Sequence, residues 1–309
     1  EKDSAVYTDY KELLKDKSID AVLVLTPNCS HCEITVAALE AGKHVLCEKP
    51  MAINYAEAKK MLAARDKSGK VLTIGYQNRF RPDSLYLKKL AKKDYFGEIY
   101  YAEAIALRRR GVPTWGVFIE QDKQGGGPLI DIGTHALDLT LFTMDNYEPA
   151  YCVGKTFHKL NKQKNTGNFG GDWDSEKFTA EDSAFGFVVM KNGAVINLRA
   201  SWALNIANPI EAVTTVCGDK AGADMLQGLR LNTVLEGKCV TISPDLNDGT
   251  IAYFGSGGSA PEDLEAVCFT NAVQGKGELY VTADQAAVVT RILEGIYESE
   301  KTGKPVYFD

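Results

Sequence analysis

Short apolar runs alternate with helical patterns along the first 80 residues. Residues 21–25 are apolar without alternation, which is typical of a strand buried on both faces of a parallel sheet, and the short apolar run 45–47 and the segment 71–75 predict two further strands. Apolar positions at helical spacing predict helices before and between these strands, at residues 9–15, up to about residue 41, and from Asn54 to Gly69. This alternation with short connections indicates the later half of a doubly wound α/β domain.

The pattern changes after residue 80, where strands become more frequent. A long strand is predicted over about 98–108, and several more follow between residues 151 and 243. Lys191-Asn192-Gly193-Ala194 lies between two apolar runs, and Asn-Gly is a strong signal for a type I′ hairpin turn; Glu236-Gly237 indicates a second tight turn. Further helices are predicted to about residue 93, over 128–144 and over 283–301.

The predicted fold class is therefore α/β, with two domains. Residues 1–80 form a partial Rossmann-type, doubly wound parallel sheet. Residues 81–309 form an α+β domain with a large, mostly antiparallel open sheet. A chain of 309 residues is long enough for two such cores.

Composition excludes several classes of partner. No apolar run approaches the ~18 residues of a membrane span, and a formal charge of −6 argues against nucleic acid or an acidic membrane surface. Seven cysteines form an odd count without framework spacing, which favours a reducing, cytoplasmic location. Because the chain begins with Glu1 rather than methionine, we expect the natural start to lie upstream.

Glu48-Lys49-Pro50 ends one of the predicted parallel strands. Open parallel sheets bind their ligands at this carboxyl edge. The proline stops the strand, because it lacks a backbone donor and has a fixed φ. A lysine placed here could exchange a proton with a substrate hydroxyl, although a solvated lysine on a loop is the alternative.

Polar residues also follow the other two strands. Thr26-Pro27-Asn28 and then His31 come after the first strand, and Gln77 comes after the third. Such side chains could line a cofactor cleft at the sheet edge. A plain helix cap explains Thr26 to His31 about as well.

A polar stripe lies on the otherwise apolar helix predicted over residues 128–144. Asp131, His135 and Asp138 occupy positions i, i+4 and i+7, and polar groups on such a helix must be paired or must face a cavity. Asp131 could orient the His135 imidazole and favour its protonated form, which suits proton transfer. A satisfied core histidine and half of a metal site are the alternatives.

Two other patterns predict no site. Gly255-Ser256-Gly257-Gly258-Ser259-Ala260 fits G-x-G-x-x-G/A, but the apolar run before it is short and no βαβ unit follows, so we expect a flexible loop. Cys29 and Cys32 have C-x-x-C spacing without a second cysteine pair. We therefore predict no metal or redox site.

Four motifs together resemble the glucose–fructose oxidoreductase / inositol dehydrogenase / MocA (Gfo/Idh/MocA) family. They are Glu48-Lys49-Pro50; Thr26-Pro27-Asn28 with His31; Gly75-Tyr76-Gln77-Asn78-Arg79-Phe80; and the segment from Gly126 to His135. The resemblance covers essentially the whole chain in order. It implies an N-terminal Rossmann domain, whose first βαβ unit with the phosphate-binding loop is missing here, and a second domain whose open sheet makes an oligomer contact.

The resemblance also implies roles for particular residues. Lys49 would contact both the substrate and the nicotinamide ribose, and Asp131 with His135 would form a proton relay. The cofactor would be NAD or NADP, with NAD favoured. Its binding residues would be those at the strand ends: Thr26, Pro27, Asn28, His31, Glu48, Lys49 and Gln77.

We therefore expect a dehydrogenase that oxidises a secondary hydroxyl of a sugar, cyclitol or related polyol, acting as a homodimer or homotetramer through its second sheet. Arg79, Trp115 and His158 are candidate sugar contacts. Two alternatives stay open: an enzyme with an internally recycled cofactor (epimerisation or oxidation–elimination), and a non-catalytic sugar-binding module without a phosphate loop. The dehydrogenase hypothesis requires Lys49 and His135 to meet across one crevice.

Overall fold

The computed structural model describes residues 5–246 and 260–309. Its α-helices in this part of the chain are α1 (Tyr10–Lys15), α2 (His31–Glu40), α3 (Tyr55–Ser68), α4 (Pro82–Lys92), α5 (Gln121–Gln124), α6 (Thr134–Met144), α7 (Pro261–Val273) and α8 (Ala283–Thr302). Its strands are β1 (Ala21–Val24), β2 (His44–Cys47), β3 (Leu72–Ile74), β4 (Ile99–Leu107), β5 (Pro149–Phe157), β6 (Ser183–Met190), β7 (Val195–Ser201), β8 (Ile210–Gly218), β9 (Gly222–Asp224), β10 (Arg230–Leu235), β11 (Lys238–Ile242) and β12 (Val306–Tyr307). Except for Ala260, the glycine-rich pattern at 255–260 lies outside the described residues.

The first sheet is parallel, in the order β1-β2-β3, as the alternation of short apolar runs with helices predicted. Helix α3 begins and ends at the predicted residues. The Asn54 side chain accepts a hydrogen bond from the Glu57 amide at 2.8 Å. Gly69 ends the helix at φ 64°, a left-handed conformation that glycine adopts without steric cost.

The second sheet has nine strands in the order β11-β10-β9-β8-β4-β7-β6-β5-β12. Its pairs are antiparallel except β4 with β7, so the prediction of a large, mostly antiparallel sheet is confirmed. Strands β6 and β7 form the predicted hairpin, but only Gly193 (φ 89°) has positive φ, so the turn is not type I′. The Asn192 side chain instead accepts a hydrogen bond from the Ala194 amide. Glu236 and Gly237 both have positive φ, as a type I′ turn requires.

Helix α8 connects the two sheets. It packs against β5 on one side and against α3 and β3 on the other. Just before it, the Val281 carbonyl accepts a hydrogen bond from Thr73 Oγ1 on β3 at 2.8 Å. Because the C-terminal helices return to the first sheet, a domain boundary at residue 80 stays a prediction, as does oligomerisation through the second sheet.

The helices of residues 5–246 and 260–309 also bear on the membrane question. None of those described here combines the length and the apolar character that crossing a bilayer would need.

Candidate active site

An ion pair joins the end of β2 to the second part of the chain. Lys49 Nζ lies 2.9 Å from Asp131 Oδ1 and 2.9 Å from the Asp131 carbonyl oxygen, and both side chains are largely buried. Burial would raise the pKa of Asp131, but the charge and hydrogen bond of Lys49, the hydrogen bond from Trp202 and the Arg108 charge together outweigh it, and the pKa is lowered. Asp131 is therefore a carboxylate that holds the lysine at the carboxyl edge of the first sheet.

Trp202 fixes the other oxygen of this carboxylate. Its indole N–H donates to Asp131 Oδ2 at 2.9 Å, and the side chain is fully buried just after β7. Sequence reasoning missed this residue, because a donor 71 positions from its acceptor leaves no local pattern. Trp202 is a positioning residue: it orients the carboxylate that in turn orients Lys49.

A buried glutamate holds the turn that carries Asp131. Glu181 accepts hydrogen bonds from the Gly127 amide at 2.8 Å, the Leu129 amide at 3.2 Å and the Tyr297 hydroxyl at 2.9 Å. A Cβ on Gly126 would lie 2.0 Å from the Tyr297 hydroxyl, so glycine is required there for close packing. The amides at this helix start are satisfied within the protein.

The predicted 128–144 helix begins with a π-helical turn, Leu129–Gly133, before α6. Asp131 and His135 therefore do not have regular α-helical spacing, and the Asp131 oxygens bond Lys49 and Trp202. The expectation that Asp131 keeps His135 protonated is wrong. Burial, and then the Lys49 ammonium, lower the pKa of His135 to about 3, and the opposing effect of Asp131 is smaller than either.

His135 is consequently neutral at ordinary pH. Its Nδ1 is buried and has no hydrogen-bond partner among the described residues. The charges of Lys49 and Asp131 both act on its pKa. His135 lines neither of the two cavities described below, so its meeting with Lys49 in one crevice stays a prediction. Its edge faces Tyr76, with ring centroids 6.3 Å apart.

The lowered pKa of His135 predicts a pH-dependent stability. The pKa of His135 is near 6.5 in the unfolded chain and about 3 in the folded protein, so between these two pH values the imidazole is protonated in the unfolded state but not in the folded state. The free energy of unfolding should therefore fall as pH drops through this window, by up to about 1.4 kcal/mol per pH unit from this residue. Urea unfolding of the wild type and of His135→Gln, at several pH values, measures the difference in slope; equal slopes would contradict the assignment.

A cleft of about 340 Å³ lies beside Lys49 at the carboxyl ends of β1 and β2. It is lined by Leu25, Thr26, Pro27, Asn28, Glu48, Lys49, Gly116, Val117, Phe118, Gln124 and Asp131. The structure thus brings together five of the residues expected at the cofactor. Gln77 is half-buried in the turn after β3 and does not line this cleft.

The expectation that His31 lines the cofactor cleft is not met. The ring is fully buried, with Nδ1 2.8 Å from the Pro50 carbonyl oxygen and Nε2 2.8 Å from that of Thr26. These contacts link the segments that follow β1 and β2. His31 therefore positions Thr26 and the Lys49-Pro50 segment, whose peptide bond is cis, rather than contacting a ligand.

Arg79 is also placed differently from the prediction. It is fully buried and makes a two-pronged ion pair with Asp138, with Nε 2.9 Å and Nη2 2.5 Å from the carboxylate oxygens. Its Nη1 donates to the Tyr280 carbonyl and to Gln285 Oε1. The expected sugar contact is wrong for this residue, because its donors are engaged inside the protein.

A second cavity, of about 480 Å³, shares Asp131 and Phe118 with the first. Its other lining residues are Arg108, Arg109, Arg110, Gly111, Pro113, Trp115, Phe169, Pro209 and Glu211. Trp115 is 54% exposed and contacts the edges of Phe118 and Phe169, with centroids 5.9 and 6.2 Å away. Trp115 therefore lies where a substrate ring could stack.

The remaining residues singled out in the sequence lie outside both cavities. His158 is exposed at the end of β5, near Glu300, and lines neither cavity. Cys29 is exposed and Cys32 is buried, and both are free thiols. Across 5–246 and 260–309, the structure groups no three side chains that could together hold a metal ion.

Comparisons with known proteins agree with this architecture. Residues 1–76 match the family model described as "Oxidoreductase family, NAD-binding Rossmann fold", and residues 84–224 match "GFO/IDH/MocA C-terminal domain". D-glucoside 3-dehydrogenase of Escherichia coli (strain K12) is 36% identical over 304 residues, covering 98% of this chain and 83% of that protein. The scyllo-inositol 2-dehydrogenase (NADP(+)) of Bacillus subtilis (strain 168) is 25% identical, covering 99% and 84%.

Solved structures show the same fold. Levoglucosan dehydrogenase in complex with NADH and levoglucosan matches with a TM-score of 0.81 at 21% identity, over 97% of this chain and 83% of that one. At this level of identity the likeness concerns the fold alone.

Proposed function

The chain belongs to the Gfo/Idh/MocA oxidoreductase family, and on that premise we propose that it is an NAD(P)-dependent dehydrogenase that oxidises a ring secondary hydroxyl of a sugar, cyclitol or related polyol. Relatives named as a glucoside 3-dehydrogenase and an inositol 2-dehydrogenase support that substrate class. The observation that carries the proposal is the Lys49–Asp131 ion pair, which lies where the two cavities adjoin.

The residues of the 340 Å³ cleft fit the nicotinamide end of a dinucleotide. The cleft opens at the carboxyl edge of a parallel sheet, where such ligands bind. The Thr26 hydroxyl accepts a hydrogen bond from Ser30 Oγ and can still donate one, and the Asn28 amide nitrogen donates to the Gln124 carbonyl, which leaves its side-chain oxygen for a ligand. Glu48 lies against Gly75, where a Cβ would come within 3.2 Å of the carboxylate. When bound, the nicotinamide supplies the acceptor for the hydride that the substrate carbon loses.

Lys49 is proposed to bind the reacting oxygen. An ammonium group has three donors, and two of them are taken by Asp131 Oδ1 and the Asp131 carbonyl. Among the described residues no acceptor takes the third, which leaves it for the substrate hydroxyl. As the carbon loses hydride, the ammonium stabilises the negative charge that develops on that oxygen.

His135 is proposed to accept the hydroxyl proton. It is neutral above about pH 3, so a ring nitrogen can take the proton while the C–O bond becomes a carbonyl. Negative charge on the substrate oxygen would offset the Lys49 ammonium and raise the pKa of His135 during the reaction. Hydride and proton together account for the two-electron oxidation of alcohol to ketone.

A polyol panel tests the proposed function. The protein, supplied with NAD or NADP, is incubated with aldoses, methyl glycosides and inositols, while reduced cofactor is followed by absorbance and product by mass spectrometry. We expect reduced cofactor and ketone in equal amounts, and at least about 100-fold slower formation of both by a Lys49→Met control. Product without net cofactor reduction would support the internally recycled alternative instead, and failure to bind any nicotinamide would refute both.

A further inference from the structure

Three consecutive arginines, Arg108 to Arg110, line the 480 Å³ cavity beside Asp131, and their partners differ. Arg108 is neutralised: Nε lies 2.7 Å from Glu211 Oε2, Nη2 bonds Oε1, and Nη1 donates to the Gly111 carbonyl at 2.9 Å. This two-pronged pair leaves Arg108 little capacity for a ligand.

Arg110 is held in place without being neutralised. Its Nε donates to the Thr166 carbonyl at 2.9 Å, and its Nη2 donates to Asn205 Oδ1 at 2.6 Å. Its Nη1 donates to the Arg109 carbonyl at 2.6 Å. None of these acceptors is a carboxylate, so the positive charge of Arg110 persists on the cavity wall.

Arg109 has no side-chain partner at all in the described part of the chain. It lies between two fixed arginines just after β4, it is exposed, and it is one of the residues that line the cavity. The two acidic residues of the cavity, Asp131 and Glu211, are already paired with Lys49 and Arg108. The wall therefore carries a surplus of positive charge, which attracts anions into a partly enclosed space.

The cavity also offers a face for a sugar ring. An edge-to-face aromatic cluster lines the same cavity as the arginines; it consists of Trp115, Phe118 and Phe169. A volume of about 480 Å³ is within the range of about 300–1,000 Å³ that small-molecule ligands occupy. Asp131 lines the same cavity, so a ring stacked there would lie between the arginines and the Lys49–Asp131 ion pair.

We propose, resting on the proposed function, that the substrate carries an anionic group, a carboxylate or a phosphate, which Arg109 binds with support from Arg110 while a ring hydroxyl lies at Lys49. Arginine matches both groups with paired N–H donors. The expected substrates are therefore sugar acids or sugar phosphates, which an assay with neutral polyols alone would not detect.

Matched substrates test this proposal. Methyl β-D-glucuronide carries a carboxylate that methyl β-D-glucoside lacks, and glucose 6-phosphate carries a phosphate that glucose lacks. Comparing kcat/KM within each pair tests each anionic group, and the corresponding galactose derivatives repeat both comparisons. We expect a higher kcat/KM for at least one anionic member, and added salt should raise its KM. Arg109→Gln should lower kcat/KM for the anionic substrate about 10- to 100-fold, through KM, and far more than for the neutral one.

Arg230→Gln is the matched control, because Arg230 lies on β10 and lines neither cavity. Equal kcat/KM for neutral and anionic members, or an equal loss for both in Arg109→Gln, would overturn the anion site and leave the proposed dehydrogenase intact. Calorimetry with methyl β-D-glucuronide and glucose 6-phosphate separates binding from turnover. If no polyol is oxidised, binding by the wild type that Arg109→Gln loses still supports the site, and no binding by either protein refutes it.

Discussion

Replacing Lys49 by methionine is expected to lower kcat by about 10²- to 10⁴-fold, the range for losing a positioned acid–base or charge-stabilising group. Methionine keeps an unbranched side chain of similar length but has no donor for the substrate oxygen. Because the third N–H of Lys49 is proposed to act mainly on the developing alkoxide, kcat should fall more than KM rises. Steady-state kinetics on the best substrate of the polyol panel measures both.

Two controls separate chemistry from folding. Lys60→Met makes the same change at an exposed position of α3 and should leave kcat unchanged. Lys49→Met also leaves the Asp131 carboxylate without its cation, so urea unfolding must show that the variant is folded under assay conditions. A folded Lys49→Met protein with a kcat near that of the wild type would remove Lys49 from the mechanism.

Much of the fold could be predicted because its signals are local. Short apolar runs alternating with helices predicted the parallel strands, and Asn54 and Gly69 marked the ends of α3 through capping that depends on neighbouring residues alone. The turn at Asn192-Gly193 shows where local reasoning stops. The dipeptide predicted the hairpin but not the turn type, because the Asn192 side chain bonds the Ala194 amide and its backbone stays at negative φ.

The site was predicted less completely, since its geometry depends on contacts far apart in sequence. Lys49 and Asp131 were both proposed for the site from the sequence, but their pairing was not, because nothing local shows that they meet across 82 positions. The π-helical turn at Leu129–Gly133 changes the spacing between Asp131 and His135, and no residue pattern predicted this turn. The assumed relay was replaced by an ion pair beside a neutral imidazole.

Arg79 was predicted to contact the substrate, but a residue distant in sequence gives it a structural role instead. Its position after β3 favoured a ligand contact, but Asp138 on α6 faces it in the core, and both side chains are at most 1% exposed. The predicted polar stripe is thus divided: Asp138 is structural, whereas Asp131 and His135, which lie nearer the helix start, are the residues proposed for the site. An arginine following a strand is ambiguous until its acidic partner is located.

Replacing Arg79 by methionine is expected to reduce the free energy of unfolding by about 3–5 kcal/mol, the cost of leaving a buried charge without its partner. Asp138 would remain buried, and the acceptors at Tyr280 and Gln285 would lose their donor. Burial already raises the pKa of Asp138 against the opposing Arg79 charge. Without Arg79 the folded state should bind a proton there more readily than the unfolded state, so the deficit should shrink as pH falls.

The double variant Arg79→Met/Asp138→Leu provides the decisive comparison. Removing both charges eliminates the unpaired carboxylate, and apolar replacements of a buried ion pair are often neutral or stabilising. Because the guanidinium packs on the Phe142 ring at 4.9 Å, methionine should retain part of that contact. Urea unfolding should therefore show the double variant to be more stable than Arg79→Met alone. A single variant that costs under about 1 kcal/mol, or a double variant less stable than the single one, would mean that the pair is not the main stabilising contact at this point of the core.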